Sequence, residues 1–181
     1  IKASYQKLAW YNLVMGNEQG YIENIGKVLH YGKAIIDADK QALMEAESGD
    51  MPNVDLLKSR LLFDGGYYQE AEELLLDKEV ILNDLKDSVE FTYRLGRIYH
   101  AWDKLPEAKT YYQDCIFKGS ELPNYYAANA SLHLGMIYEE EGDFKNARYY
   151  YSYCMDLDFE EYRASITQKA KAGLNRVKGD R

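Results

Sequence analysis

The sequence predicts an all-α protein, an α-solenoid built from stacked antiparallel helix hairpins. Three observations carry that prediction. Leu95-Gly96-x-x-Tyr99 leads to Ala108, Leu134-Gly135-x-x-Tyr138 leads to Ala147, and Ser59-x-x-Leu62 leads through Gly66-x-Tyr68 to Ala71. In each segment the small residue stands twelve positions before the alanine. A break of turn-forming residues then divides each segment: Asp64-Gly65-Gly66, Trp102-Asp103-Lys104 and Glu141-Gly142-Asp143. Finally, the chain holds only three prolines, and no stretch shows the sustained apolar–polar alternation of a half-buried strand.

The spacing has a physical reason. Residues three and four apart share a helix face, so Leu95, Gly96 and Tyr99 form one stripe, as do Leu134, Gly135 and Tyr138. Glycine in such a stripe weakens an isolated helix by up to ~1 kcal/mol relative to alanine. Its recurrence therefore predicts the close approach of another helix. After each break a second helix opens on an aromatic or apolar residue and carries a buried-type alanine three places later: Tyr68 and Ala71, Leu105 and Ala108, Phe144 and Ala147. Leu75, Tyr112 and Tyr151 follow four residues on.

Taken in order, residues 1–51 read as a degenerate N-terminal helical repeat. There Leu8-Ala9 and Gly16-Asn17 supply a first helix and turn, and Tyr21 stands in the alanine's place. Gly20, Gly26 and Gly32 predict an irregular second helix or a break, and residues 33–47 a clear helix of good formers. Ser48-Gly49-Asp50-Met51-Pro52 stops it. Residues 52–87, 88–124 and 125–157 are the three hairpins. Residues 158–181 close the array as a C-terminal capping helix with the apolar stripe Ile166, Ala170, Gly173, Leu174 and Val177. A terminal helix with a polar outer face is what a solenoid needs, and the whole is expected to be one continuous solenoid domain.

These marks resemble the tetratricopeptide repeat (TPR), whose pattern is Trp-x-x-Leu-Gly-x-x-Tyr followed by Ala-x-x-x-Phe. The resemblance covers about residues 52 to 156. Thr92 and Ser131 replace the leading tryptophan, and the trailing proline is missing. The alanines are 37 and 39 residues apart (71 to 108, 108 to 147) against about 34 in the family. The extra residues fall in 79–87 and 118–124. The resemblance implies a right-handed solenoid whose first helices line a concave wall. It also implies a role as a non-catalytic scaffold or adaptor for another protein. No subfamily is assigned.

Composition narrows the function further. The net charge of −8 disfavours broad nucleic-acid binding, which needs a basic surface. The charge is uneven: residues 163–181 carry a local +5, which leaves −13 elsewhere. No apolar run approaches the ~20 residues of a membrane helix, so no membrane insertion is expected of this chain. It opens on Ile1, as a processed or truncated piece would, and the sequence assigns no compartment. Cys115 and Cys154 each lie seven residues past an alanine, where small buried thiols are expected. Most of the eighteen tyrosines lie on helix stripes and read as core.

Catalysis finds no support. His30, His100 and His133 show no ligand spacing, and no Cys pair, phosphate-cradling loop or Gly-x-Ser-x-Gly occurs. Neither an enzyme activity nor a cofactor or metal site is expected.

A binding face is expected instead. The helix face opposite the packed small residues presents Leu56, Arg60 and Phe63, then Tyr93, Arg97 and His100, then Leu132, Met136 and Glu139, with Arg94 and His133 at its edge. The candidate groove is thus Arg60, Phe63, Tyr93, Arg94, Arg97, His100, His133 and Met136. Arginine can hold a carboxylate through two parallel hydrogen bonds, and Phe63, Tyr93 and Met136 would seat apolar groups beside it. The expected partner is an acidic-hydrophobic peptide, extended or helical. Tyr93 and Arg97 stand where Lys and Asn form the carboxylate clamp of chaperone-binding family members, which disfavours chaperone C-termini. The alternative is a structural spacer in a larger chain, with the groove filled in cis or by self-association. A regulatory module attached to an enzyme outside this sequence is a third class.

Overall fold

The computed structural model describes residues 1–76 and 81–178, and these form ten helices and no strand. The chain divides into two compact units, Ile1–Lys58 and Ser59–Arg181.

In the first unit α1 (Lys2–Val14) and α2 (Glu18–His30) form an antiparallel hairpin, and α3 (Asp37–Ser48) lies against both. Ala9, Trp10, Leu13 and Tyr21 build the core with Leu57, and Val54 packs on it. Glu45 of α3 accepts from Gln6 Nε2 (2.6 Å), Trp10 Nε1 (2.9 Å) and Tyr21 Oη (3.1 Å), so one carboxylate ties three helices together. Burial and the Glu45 charge push the Tyr21 phenol far above its ordinary range. The expected break falls at Gly32 alone: α2 runs unbroken through Gly20 and Gly26 to His30, and the chain then leaves the helix through Gly32, whose φ is 79°, before α3 begins at Asp37. Gly20 is a crossing point, because a Cβ there would meet Asn12 Oδ1 at 2.3 Å. The chain leaves α3 at Gly49, whose φ of 72° is the left-handed conformation that ends helices.

A fourth helix, α4 (Val54–Asp64), carries the chain into the second unit. It is followed by α5 (Tyr68–Leu76), α6 (Leu85–Ala101), α7 (Leu105–Gly119), α8 (Tyr126–Glu140), α9 (Phe144–Asp156) and α10 (Arg163–Lys178). Here α6 pairs with α7 and α8 with α9; α8 packs on α7 and α6, and α10 on α9 and α8. Ala71, Ala108 and Ala147 are fully buried, as are Leu75, Tyr112 and Tyr151 beyond them. The glycines do what their spacing predicts. A Cβ on Gly96 would lie 2.7 Å from the Tyr112 ring, and one on Gly135 would lie 2.6 Å from Tyr151. Gly173 of α10 leaves room for the same ring, because a Cβ there would overlap the Cζ end of Tyr151. Ile166, Ala170, Gly173, Leu174 and Val177 are the buried residues of α10. Cys115 and Cys154 are buried free thiols; burial pushes the Cys154 thiol up to about 12 and Cys115 higher.

One turn recurs. The backbone N–H of Asn17, Tyr67, Lys104 and Asp143 bonds to the carbonyl of Asn12, Leu62, Tyr99 and Tyr138 at 2.8, 2.9, 2.9 and 2.9 Å. The residue before each donor has positive φ: Gly16, Gly66, Asp103 and Gly142. Aspartate tolerates this conformation better than most residues, which lets Asp103 serve where the other turns use glycine. The connections between hairpins differ from expectation in part. Residues 118 and 119 lengthen α7 itself, and the extra residues in 79–87 begin outside the described residues. Gly119 meets Val89 of α6, so the longer α7 still packs.

Candidate functional site

In the second unit α4, α6 and α8 supply the candidate groove residues. The half-buried Arg60 lies 3.9 Å from Asp64 one turn on. Phe63 is half-buried beneath the Arg97 guanidinium, which stands 4.7 Å above its ring. Arg97 Nη1 donates to Tyr93 Oη at 3.0 Å, and Asn129 Nδ2 of α8 donates to the same oxygen at 2.5 Å.

The structure corrects several expectations about this face. Tyr93 is not a seat for a ligand: its side chain is wholly buried, and the rings of Tyr125 (5.6 Å) and Tyr126 (5.3 Å) cover it. Arg94 is not an edge cation. It is only 6% exposed, and Nε and Nη2 both bond Glu90 Oε1, at 3.0 and 2.5 Å. Tyr126 Oη donates to Glu90 Oε2 at 2.6 Å, and Arg94 also stands over the Tyr93 and Tyr126 rings. Burial would push the Glu90 carboxyl up, but Arg94 and the Tyr126 hydrogen bond hold it below the ordinary range. Leu56 and Leu132 are buried in the core. Glu139 turns toward α9 and α10, where it accepts from Tyr151 Oη (2.5 Å) and pairs with Arg176.

The remaining candidates gather at one end. His133 stacks on Tyr112 with centroids 5.4 Å apart and planes 6° apart. His100 stands edge-on to His133 at 5.4 Å, with Nδ1 3.3 Å from Tyr112 Oη. Burial lowers both imidazoles, and the Arg97 charge lowers them further; Glu140 and Asp103 pull the other way at His100. Met136 is half-buried, one turn beyond Leu132 on α8.

One charge in this network has no counterion. Among the described residues no carboxylate lies within ion-pair distance of Arg97; phenols, a phenyl ring and the like charge of Arg94 surround it. Arg94, Arg163 and Arg176 each pair with an acid at 2.5 to 2.8 Å. The sequence reading missed Asn129, Tyr126 and Glu90. Glu90 was findable, because a Glu four residues before an Arg on one helix is an ion-pair signal.

No group of three or more His, Cys, Asp or Glu among the described residues could hold a metal, and no described helix is long and apolar enough to cross a membrane. No curated protein and no solved structure matches the chain. Residues 89–116, within α6–α7, and 128–161, which take in most of α8, all of α9 and the residues after it, match the tetratricopeptide repeat family. Hairpin architecture, buried alanines and glycine crossings agree with that match: these two stretches are tetratricopeptide repeats, and repeats of this family generally mediate protein–protein interactions.

Proposed function

We propose that this chain is a non-catalytic adaptor whose α4–α6–α8 face holds an acidic-hydrophobic segment of another protein. Arg97 carries the reading: a half-buried guanidinium with no acidic partner among the described residues, inside a chain of net charge −8. A buried or half-buried charge is costly until it is paired, and the guanidinium fork suits a carboxylate. Arg60 adds charge beside it, and Phe63 and Met136 add apolar surface. Tyr93 holds Arg97 through its hydroxyl, Arg94 is tied to Glu90, His133 stacks on Tyr112, and His100 stands at the rim. The repeats at 52–87, 88–124 and 125–157, closed by residues 158–181, supply the scaffold.

The test is calorimetric titration with a synthetic acetylated peptide of repeated Glu-Glu-Leu-Asp-Asp-Phe. It should bind the parent, weaken with added salt, and be lost with Arg97→Gln. A shuffled-charge peptide in which Lys replaces every acid should not bind. The second reading is a spacer whose groove is filled in cis, and Tyr125 and Tyr126 over Tyr93 are the observation in its favour. Absence of peptide binding to a folded parent would refute docking and leave that spacer reading.

A further inference from the structure

We infer that the face around Arg97 takes up a proton together with a carboxylate: the His100–His133 pair becomes charged as the anion docks, so an acidic partner binds more tightly as the pH falls. This rests on the reading of that face as a carboxylate-docking site. The geometry is a pair of imidazoles against Tyr112 beside a guanidinium that lacks a counterion among the described residues. His133 Nδ1 is buried with no hydrogen-bond partner among the described residues, while His100 is half-buried at the rim.

The charged and titratable groups facing the pair come from four elements and one turn. They are Arg97 of α6, Tyr112 of α7, Glu140 of α8, Lys169 of α10, and Asp103 in the turn after α6. Arg97 and Lys169 oppose a new positive charge on His133, and the two imidazoles oppose each other. Glu140 and Asp103 favour charge only at His100. With Arg97 uncompensated, burial and this repulsion keep the imidazoles neutral.

A carboxylate on Arg97 reverses the balance. It cancels the guanidinium charge felt by both rings and brings an acceptor for an imidazolium N–H. The proton comes from solvent to a ring nitrogen, and no other bond changes. Linkage is reciprocal: if docking raises the affinity of the rings for protons, protons raise the affinity for the carboxylate by the same factor.

The experiment is calorimetry with the same acidic-hydrophobic peptide at about pH 7.5 and about pH 6, each in two buffers of different ionisation enthalpy. Net proton uptake is expected, with affinity rising severalfold toward the lower pH; one full proton would give at most about tenfold per pH unit. The His100→Gln/His133→Gln double variant should lose the uptake and the pH dependence, and uptake that persists in it would overturn the inference. Binding by the parent with equal affinity at both pH values and no uptake would overturn the inference and leave docking intact. No binding at either pH would overturn docking, and this inference with it. A measurement without peptide guards against a variant that fails to fold. NMR titration of the imidazoles should show higher midpoints in Arg97→Gln than in the parent, and unchanged midpoints would also refute the coupling.

Discussion

Tyr151 is held between two glycines, so Gly135→Ala should destabilise the protein although alanine is the better helix former. The added Cβ would lie 2.6 Å from both Cδ1 and Cε1 of the Tyr151 ring. That ring cannot retreat. It is wholly buried, Gly173 of α10 packs at its Cζ end, and its hydroxyl is fixed by Glu139. Overpacking of this kind costs ~1–3 kcal/mol, and helix propensity returns up to ~1 kcal/mol. Because the ring is wholly buried and its hydroxyl is fixed, the upper end of that range applies. The net loss is about 2 kcal/mol, at roughly 2–4 °C of Tm per kcal/mol for a chain of this size. Gly26→Ala in α2 is the control, because a Cβ there meets nothing within 4 Å. It should stabilise by up to ~1 kcal/mol. Differential scanning calorimetry of both variants reads the contrast directly. Adding Tyr151→Leu to Gly135→Ala should cost less than the sum of the single changes, since the pair shares one space. A Gly135→Ala variant that melts at or above the parent, as Gly26→Ala should, would refute the packing argument.

Three other outcomes follow from the same structure. Arg94→Met leaves Glu90 buried without its partner and should cost about 3–5 kcal/mol in urea unfolding. Glu90→Gln combined with Arg94→Met should recover much of that loss, and equal stability of the two variants would count against the pair. Because the fold keeps His100 and His133 below their ordinary value, the unfolded chain binds protons that the folded one refuses. The stability these neutral rings contribute is therefore full above about pH 6.5 and lost as pH falls below it. Thermal melts from about pH 8 to about pH 5 should show this decline and its flattening in His133→Gln; a flat parent profile would contradict it. Cys115 and Cys154, buried and protonated, should react with a thiol reagent only after unfolding, and a rapid native reaction would contradict their placement.

The core was largely readable because it is periodic. The five-residue stripe of α10, the three alanines and the glycine crossings were all visible as spacings, and each is buried where the spacing puts it. What failed to read was which way a face points once a connection folds over it. Tyr93 lies on the expected face of α6, but Tyr125 and Tyr126 at the start of α8 close over it. Glu139 shares the predicted stripe with Met136, yet a phenol and an arginine from α9 and α10 draw it away. Of the three glycines expected to interrupt the second helix only Gly32 does so; Gly20 marks a close neighbour inside α2, and Gly26 lies within the helix with no neighbour beside it. The spacing makes Arg97 a groove cation; that it lacks a counterion among the described residues depends on tertiary neighbours that no spacing reveals.

The Glu45 junction gives the first unit an optical signature. Trp10 donates its indole N–H to that carboxylate, whereas Trp102 lies in the turn between α6 and α7 with the Lys104 ammonium 4.3 Å from its ring. The chain has two tryptophans, one in each compact unit. Trp102→Phe therefore confines the emission to Ile1–Lys58, and Trp10→Phe confines it to Ser59–Arg181. Fluorescence melts of the two single-tryptophan variants become separate thermometers for the two halves of the chain.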